Sequence, residues 1–411
     1  MAANPSIQLG TDGNWAIKED NLLAYKKDGT RFFNKEFDFT RNTTATFVDK
    51  DGLIKTVTSD IPRIDFTDDA TGHLLLEPQS TNLAIFSEDF SGYAWLVFGS
   101  IQANSSVSPN GLATATKLTS TGTQYHLVRI GFSGLATTSV FVKNVDANNF
   151  YIRKSNDDYA YYNFNTKTVS DNSLKVEHFA NDWVRLSLTT QATNYRQFGV
   201  GVNETDLSEV GNSVHIWGAQ VEQQSFATSY IPTQGSTVTR NADVCNNSGS
   251  AQDFNSEEGV LYAEIAALAN SGNKRRISLS DGTDSNGVIL SLPQPDDRIK
   301  ILIKSGGAIQ ANSTSTVVIT ATDFNKIAAK YKDNDFALWV DGTKVFTDSS
   351  GSVPIGLNEL SFNFNGGENF YGKTKDLKVF KRAMSDSELY LLTVPQYQSY
   401  QEMATALNYT L

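Results

Sequence analysis

The sequence predicts a mainly β protein with two antiparallel β-sandwiches, an N-terminal segment of short strands and a short C-terminal helix. Short runs rich in Val, Ile, Thr, Tyr and Phe recur between clusters of Asn, Gly, Asp and Ser, which is the pattern of antiparallel strands and their turns. Helical periodicity is scarce. The length of 411 residues suits two or three domains at about 150 residues each.

Composition and charge exclude several classes of function. Hydrophobic residues make up 39% and aromatic residues 11% of the chain, so a globular protein is expected rather than a disordered one. The net charge of -11 has the wrong sign for gripping phosphate backbones, so no nucleic acid partner is expected. The single cysteine, Cys245, excludes a disulfide within the chain.

The N-terminal sequence MAANPSIQLG has neither a basic leader nor the apolar stretch of a signal peptide. No run approaches the roughly 18 apolar residues of a membrane helix. We therefore expect no signal peptide and no membrane insertion.

Three dipeptides predict tight hairpin turns. Asp51-Gly52 lies between ATFV and LIKTV, Asn110-Gly111 precedes LATATKL, and Asp341-Gly342 joins FALWV to TKVFT. Each pair tolerates the positive φ that such turns demand.

In chain order, the predicted regions are an N-terminal segment, a sandwich, a linker, a second sandwich and a tail. Their bounds are 1–81, 82–244, 245–258, 259–397 and 398–411. The segment 245–258 is predicted as a linker or a long loop because CNNSGSAQDFNSEEG is polar and nearly free of large apolar residues.

One short helix is expected near the end of the second sandwich. Ser385 and Glu388 are spaced as a capping box, and LYLL supplies apolar residues after them. Beyond Pro395 the tail either forms one or two more helical turns or packs against a neighbouring subunit, and both alternatives remain open.

Catalytic and metal-binding patterns are weak. Glycan hydrolysis needs two carboxylates roughly 5 to 10 Å apart, whereas Glu88-Asp89 and Glu257-Glu258 are adjacent pairs that read as solvated surface. The four histidines are scattered singly, and SDGTDSNG at 280–287 has the wrong spacing for an EF-hand and reads as a hairpin turn. We therefore expect no catalytic residue, no metal and no cofactor.

Aromatic residues on two consecutive strands suggest a sugar-binding surface. Strand alternation in YAYYNFN places Tyr159 and Tyr161 on one face. The opposite face is the expected core set of Ala160, Tyr162 and Phe164. If the preceding strand pairs with this one, Tyr151 and Arg153 extend the patch, and the four are candidate carbohydrate-binding residues. The alternative is that these tyrosines meet another subunit or merely cover the sheet.

Four segments resemble a family of bacteriophage virion proteins. They are FDFTRNTTATFVDKDGLIKTVTSDIPRIDF, LLLEPQSTNLAIFSEDFSGYAW, DWVRLSLT and VHIWGAQVEQQSFATSYIPTQGSTVTRNADV, which are distributed over 37–244. Members of this family occur in tail fibres, head fibres and other appendages. Their central domain is similar to the jelly-roll carbohydrate-binding modules, which implies a jelly roll over 82–244.

The C-terminal part resembles the concanavalin A-like sandwiches of the laminin G and lectin type. The segments are GVLYAEI, FALWVDGTKVF and KDLKVFKRAMSDSELYLL. Relatives include sugar binders and purely structural modules, so the fold alone assigns no ligand.

Tryptophans within these motifs are expected to be buried. Trp95, Trp183 and Trp217 lie in AW, DWVRLS and HIWGAQ, and Trp339 belongs to the strand pattern of the second sandwich. Core packing is the simpler interpretation of all four. Trp15 is instead a candidate anchor to a virion partner.

These resemblances imply a non-enzymatic structural protein of a phage particle, made in the host cytoplasm and displayed as a head or tail fibre or spike. The expected partners are other virion proteins through residues 1–81, further copies of the chain, with a trimer favoured, and a glycan on the host cell surface. One alternative is a capsid or tail decoration protein with no glycan ligand. Another is a polysaccharide depolymerase that uses carboxylates from separate loops.

Overall fold

A computed structural model describes residues 4–67, 69–91, 94–121, 127–131, 133–155, 157–192, 195–270, 275–292, 297–396 and 399–406. The chain divides into two compact units. The central unit comprises Thr40–Asp243, and the terminal unit combines Met1–Phe39 with Val244–Leu411.

Strands predominate from the N-terminal part onwards. The N-terminal part contains β1 (Ile7–Leu9), a 3-10 turn (Thr11–Gly13), β2 (Ile17–Lys18), β3 (Asn21–Asp28) and β4 (Arg31–Thr40). The central unit contains β5 (Ala45–Val48), β6 (Ile54–Val57), β7 (Ile64–Asp65), β8 (His73–Leu76), β9 (Ser80–Asn82), β10 (Leu96–Val97), β11 (Ser100–Ser106), β12 (Ala115–Thr119), β13 (Leu127–Gly131), β14 (Gly134–Asn144), β15 (Asn149–Ser155), β16 (Asp158–Asn163), β17 (Thr168–Val169), β18 (Leu174–His178), β19 (Val184–Ala192), β20 (Tyr195–Val200), a 3-10 turn (Leu207–Glu209), β21 (Ser213–Glu222) and β22 (Val238–Arg240).

The C-terminal part contains β23 (Val244–Asn246), β24 (Glu258–Ala267), β25 (Arg275–Ser280), β26 (Gly287–Leu292), β27 (Lys300–Ser305), β28 (Ala308–Thr314), β29 (Asn325–Lys332), β30 (Phe336–Val340), β31 (Thr343–Asp348), β32 (Glu359–Ser361), β33 (Gly372–Phe380), α1 (Asp386–Thr393) and α2 (Tyr400–Ala406). The predicted fold class is confirmed, because the described elements are mostly strands in antiparallel sheets followed by a short helix.

The central unit is a sandwich of two antiparallel sheets. One has the strand order β10-β13-β20-β15-β16-β17 and the other β11-β12-β21-β14-β19-β18. Alternation directs Val140, Phe150, Ile152, Leu186 and Phe198 into one buried core cluster. Ala160 and Tyr162 are buried in this cluster and Phe164 packs against it, as predicted.

A second apolar cluster in the central unit contains Trp183 and Trp217, the tryptophans of DWVRLS and HIWGAQ that were predicted to be buried. Trp183 and Trp217, each 1% exposed, pack with Phe141, Tyr230 and the β5–β6 hairpin residue Val48. Their indole nitrogens still find partners, because Trp217 Nε1 donates to the Thr114 hydroxyl at 3.1 Å and Trp183 Nε1 donates to the Val107 carbonyl at 3.2 Å.

The terminal unit is also a sandwich. One sheet includes the order β23-β4-β3-β1-β33-β24-β29-β30-β31, with β2 beside β3, and the other has the order β28-β27-β26-β25-β32. Helix α1 covers part of the first sheet, where Leu389 packs with Tyr262 and Trp339. The capping box is present as predicted, because Ser385 accepts from the Glu388 amide while the Glu388 carboxylate accepts from the Ser385 amide.

The N-terminal residues do not form a separate body in the described structure. Strand β1 lies between β3 and β33, with Gln8 opposite both Tyr25 and Lys378, so residues up to Phe39 complete the C-terminal sandwich. Residues 40–81 belong to the central unit instead. The predicted region 1–81 is therefore divided between the two units. The sequence did not reveal this division, because pairing between distant strands leaves no local signal in sequence.

The polar segment 245–258 is a long loop over 249–257, which is one of the two predicted alternatives, but its first residues pair with a strand of the terminal unit and do not form a linker. Cys245 is 1% exposed and lies in β23, while Ser248 and Leu360 exchange backbone hydrogen bonds. Phe254 is 4% exposed. Polar composition alone does not show that the start of this segment pairs with β32, because that pairing joins residues far apart in the chain.

All the predicted turns connect paired antiparallel strands, but only Asp341-Gly342 is a two-residue hairpin turn, because Asp51-Gly52 and Asn110-Gly111 lie in longer loops. Asp51-Gly52 closes β5–β6, Asn110-Gly111 lies between β11 and β12, Asp341-Gly342 closes β30–β31, and 280–287 joins β25 to β26. The tail forms α2 over Tyr400–Ala406, and residues 407–411 lie outside the described residues. None of the described helices combines the length and the apolar character needed to cross a bilayer.

Candidate functional site

The four predicted sugar-binding residues come together on paired strands of the central unit. Strands β15 and β16 pair with Tyr151 opposite Tyr161 and Arg153 opposite Tyr159. Residues opposite each other in an antiparallel pair project from the same face. The pairing that the patch required is therefore present.

Tyr151 is nevertheless 0% exposed, so its ring offers no face to a ligand and its assignment to an exposed patch is wrong. Its hydroxyl contacts the Gln197 amide at 3.3 Å, and the Tyr159 ring packs edge-on against it at 5.3 Å between centroids. Burial raises the pKa of Tyr151 well above its usual range. Neighbouring side chains cover it, which alternation along one strand did not reveal.

Arg153 occupies the centre of this surface. Its Nε donates to the Ser155 carbonyl at 3.0 Å and its Nη1 donates to Gln197 Oε1 at 3.0 Å, with a further hydrogen bond to the Tyr195 hydroxyl. The Glu204 carboxylate lies 3.6 Å away. Because the Arg153 side chain is only 9% exposed and already holds these groups, it positions its neighbours rather than facing solvent.

Tyr159 and Tyr161 are both half-buried and form the accessible part of the patch. Burial first, and then the nearby Glu204 carboxylate, raise the pKa of the Tyr159 hydroxyl. The sequence analysis missed Tyr195, Gln197 and Glu204, which arrive from β20 and the loop after it. No local pattern linked them to β15, since the pairing of β15 with β20 is non-local.

A second candidate site is a cleft of about 830 Å³ in the central unit. Its walls carry carboxylates, amides, hydroxyls and one aromatic ring. The lining residues are Phe86, Glu88, Asp89, Ser91, Ala103, Asn104, Thr114, Thr116, Pro232, Thr233, Gln234, Ser236 and Val238. A concave site of this size with several polar groups is typical of small-ligand binding.

Hydrogen bonds between two chain segments hold one wall of the cleft. Glu88 accepts from the buried Tyr230 hydroxyl at 2.9 Å, and that hydroxyl also lies 2.6 Å from the Ser87 hydroxyl. Ser87 Oγ accepts from the Thr233 amide at 2.9 Å. Burial, and then the Glu88 carboxylate, raise the pKa of Tyr230 well above its usual range, so Tyr230 remains a neutral donor that orients Glu88.

The opposite wall comes from the outer strands of one sheet. Asn104 adopts a positive φ of 55° where the register of β11 against β12 shifts, and this bulge exposes its amide beside Thr114 and Thr116. Sequence reasoning interpreted Glu88-Asp89 as solvated surface and overlooked the cleft. The sequence carries no local signal for this cleft, because it forms where the loops near 88 and 234, far apart in the chain, pack together.

The chemistry of this cleft suits recognition of hydroxyl groups. Amide and carboxylate oxygens accept hydrogen bonds, hydroxyls do both, and the Phe86 ring offers an apolar face. Among the described lining residues the acids are Glu88 and Asp89, which are neighbours in one loop. Within the described chain, no group of three or more His, Cys, Asp or Glu residues is placed to hold a metal ion.

The family comparison identifies one part of the chain. Residues 248–389 match the concanavalin A-like lectin/glucanases superfamily (Laminin_G_3). These residues form a concanavalin A-like domain. The match spans about a third of the chain and lies within the terminal unit, whose first strands are supplied by residues before Phe39.

Solved structures with similar folds include three of different origin. The CBM40 of Ruminococcus gnavus IT-sialidase, bound to alpha2,3 sialyllactose, is 15% identical, with 36% of this chain and 93% of that chain covered and a TM-score of 0.31. Domain 4 of AbnA, a GH43 extracellular arabinanase from Geobacillus stearothermophilus, in complex with arabinotriose, is 9% identical, with coverages of 41% and 81% and a TM-score of 0.32.

The mouse laminin alpha1 chain, domains LG4-5, is 10% identical, with 68% of this chain and 95% of that chain covered and a TM-score of 0.24. At TM-scores this low, these likenesses assign neither a ligand nor an activity to this chain. The search of curated proteins finds no match.

Proposed function

We propose that this chain is a non-enzymatic structural protein of a bacteriophage particle, a head or tail fibre or spike, that binds glycans of the host surface. The motif resemblance over 37–244 supports the virion role. The concanavalin A-like domain at 248–389 supports a lectin-like role. Residues 1–39 belong to the terminal unit and residues 40–81 to the central unit, so the contact with other virion proteins proposed for 1–81 can be made by a surface of either unit.

The polar cleft is the observation that carries the glycan-binding role. Its volume of about 830 Å³ is within the range of ligand pockets. Glu88, Asn104 and Gln234 supply directional partners for sugar hydroxyls, and Phe86 supplies an apolar surface for a ring face. The two acids share one loop, whereas glycoside hydrolysis needs carboxylates that flank the scissile bond. This arrangement favours binding over hydrolysis.

Oligomeric display would make a weak cleft effective. A Kd of 1 mM corresponds to only about -4 kcal/mol. Once one site is engaged, linked sites bind at high effective concentration and raise avidity by roughly 10² to 10⁴. A homo-oligomer, with a trimer favoured, is part of this proposal.

Glycan-array binding by the full chain tests the proposal and locates the site. We expect Glu88→Ala with Gln234→Ala to abolish binding, because both changes remove polar partners from the cleft without removing apolar packing. Gln191→Ala is the matched control, since Gln191 is exposed on β19. Loss of binding only in Tyr159→Ala/Tyr161→Ala would move the site to the tyrosine surface.

If the wild-type chain binds no glycan on the array, a decoration protein without a glycan ligand would be favoured. Release of reducing ends from host polysaccharide would establish a depolymerase instead. The virion role is tested separately by imaging purified particles that carry a tag at the C-terminus of this chain. Absence of the tag from the particles would overturn it.

A further inference from the structure

The N-terminal hairpin β3–β4 exposes large apolar side chains at the surface of the terminal unit. Phe32 is 62% exposed, Phe33 is 47% exposed and Ile17 on the neighbouring β2 is 43% exposed. Folding leaves these rings in water although the same hairpin buries Phe37 and Phe39 completely. Clustered exposed aromatic groups on a protein surface mark an interaction site.

The rings border a groove rather than a flat patch. The groove has a volume of about 530 Å³. Its lining is aromatic and apolar with two amides, and comprises Gly13, Asn14, Trp15, Ala16, Leu23, Tyr25, Phe32, Phe33 and Asn34. This volume is enough for a ligand the size of a short oligosaccharide.

The groove is held by packing and by main-chain pairing. Phe32 and Tyr25 pack with their ring centroids 5.4 Å apart, and Tyr25 lies opposite Gln8 of β1. Asn14 Nδ2 donates to the Thr11 carbonyl at 2.8 Å, which orients the amide at the rim. The aromatic walls are therefore positioned before any ligand arrives, which reduces the entropic cost of binding.

The tip of the hairpin carries a charge opposite to that of the whole chain. Residues 26–31 contain Lys26, Lys27 and Arg31 against Asp28, a net charge of +2, in a chain with a net charge of -11; the whole hairpin over 21–40 has four basic and three acidic side chains. Lys35 forms an ion pair with Asp253 at 2.7 Å, but Lys27 and Arg31 are exposed. Lys27 Nζ lies 5.4 Å from the centroid of the Phe32 ring. Positive charge thus borders the aromatic groove.

This combination selects one ligand chemistry. Aromatic rings stack on the apolar faces of pyranose rings, amides bond to hydroxyls, and Lys and Arg attract carboxylate or sulfate groups. A neutral sugar would leave the charges unused, and an acidic peptide would not explain several rings along a concave surface. We propose that this groove binds an acidic oligosaccharide, one that carries uronate or sulfate groups. This site is separate from the cleft at Glu88 and goes beyond the glycan-binding role proposed for the central unit.

Tryptophan quenching in the full chain measures binding at this site. Trp95, Trp183, Trp217 and Trp339 are at most 6% exposed, whereas Trp15 is partly exposed, so acrylamide quenching reports mainly on Trp15. We expect oligogalacturonate to protect this fluorescence and maltohexaose to have at least about tenfold weaker effect. Equal protection by both ligands would overturn the charge-based assignment, and protection by neither would overturn the site.

Paired variants test the two components of the groove by calorimetric titration with oligogalacturonate. Phe32→Ser/Phe33→Ser should weaken binding about tenfold or more, because the stacking surfaces are lost. Ile309→Ser/Ile355→Ser is the control, since these side chains are 59% and 62% exposed elsewhere in the terminal unit. Lys27→Gln/Arg31→Gln should remove the preference for the acidic ligand and the dependence of its affinity on salt.

Two other occupants of the groove are distinguishable. Sedimentation with anionic phospholipid vesicles that is lost in Phe32→Ser/Phe33→Ser, without oligogalacturonate binding, would replace the proposal with a membrane contact. Self-association that depends on the same pair and blocks quenching protection would replace it with a subunit contact. Because these variants leave Glu88 and Gln234 intact, array binding through the central cleft should survive them, so failure here is separable from failure of the proposed function.

Discussion

The two sandwiches incorporate distant parts of the chain by different physical means. In the terminal unit, β1 enters the sheet as a strand between β3 and β33, with Ile7 and Leu9 both 0% exposed. In the central unit, the stretch from Arg41 to Glu77 is joined to the segment Arg240–Asp243 by buried charges. The terminal unit is closed by a backbone ladder and apolar packing, whereas the central unit adds a network of buried ions to the pairing of β9 with β22.

The buried charges of the central unit form one network. Asp243 pairs with Arg41 at 3.1 Å and with Arg63, while Glu77 pairs with Arg63 at 2.7 Å and with Arg240 at 3.0 Å. All five side chains are at most 3% exposed. Buried ions are costly unless each is paired, so removal of one partner is expected to be severe. The ladder should therefore tolerate changes of pH, whereas the ion network should not.

The largest expected effect is that of Asp243→Asn. The change leaves buried arginines without a counter-charge and should lower the stability of the central unit by about 3–5 kcal/mol. Hydrogen exchange resolved by peptide mass spectrometry should show faster exchange in β12 and β21 than in β24 and β33. Asp182→Asn, an exposed acid of the same unit, is the control. Equal loss of protection in both units would show that the ions do not close the central unit alone.

The terminal unit should respond to Leu9→Ala. Loss of a fully buried leucine from β1 should cost about 2–4 kcal/mol, since the surrounding sheet cannot fully close the cavity. The same exchange experiment should show the effect in β3 and β33, with β12 and β21 unchanged. Ile309→Ala, at an exposed position, should change stability by less than about 0.5 kcal/mol. A larger effect in the central unit would contradict independent closure.

Lowering the pH should destabilise the central unit more than the terminal unit, by a smaller amount than the substitutions above. Burial by itself would raise the pKa of Glu77, but Arg240 and Arg63 outweigh it and lower the pKa to about 2. A lowered folded-state pKa stabilises above the unfolded value near 4.5, and this stability is lost as the pH falls towards 2. We expect the central unit to lose about 2 kcal/mol between pH 6 and pH 3.

Exchange rates measured as a function of pH, corrected for the intrinsic chemical rate, test this expectation. Glu77→Gln should be less stable at pH 6 and should show a flatter acid response than wild type, because the titrating group is gone. An unchanged acid response in that variant would assign the pH dependence to other carboxylates.

Local sequence patterns predicted the strands and turns well. Gly52, Asp341 and Gly342 adopt the positive φ that their turns require and that few other residue types tolerate, and Ser385 with Glu388 satisfies amides at the start of its own helix. Alternation in YAYYNFN identified the buried face, because side chains in a strand point to opposite sides at every step. These features depend on residues close in the chain, so the sequence is sufficient to predict them.

The sites depended on contacts between distant residues. Alternation correctly placed Tyr151 and Arg153 on one face. It did not predict that residues of β20 and the following loop help to bury Tyr151 and bind Arg153; these residues are Tyr195, Gln197 and Glu204. The cleft behind Glu88 forms because Tyr230 and Thr233 bind the loop from more than a hundred residues away. Polar composition at 245–258 likewise suggested a linker or a long loop until pairing with β32 placed its start in a sandwich.

The sequence by itself determined that the chain makes β-sheets, where its hairpins turn, which face of β16 is buried and where helix α1 begins. It also determined the charge of each segment, including the basic hairpin tip beside Phe32 and Phe33. Only the tertiary structure decided which strands are neighbours, so that β1 joins β33 and Arg41 meets Asp243. The physical reason is that turn and cap preferences are local, whereas sheet order depends on contacts that form only after long loops have closed.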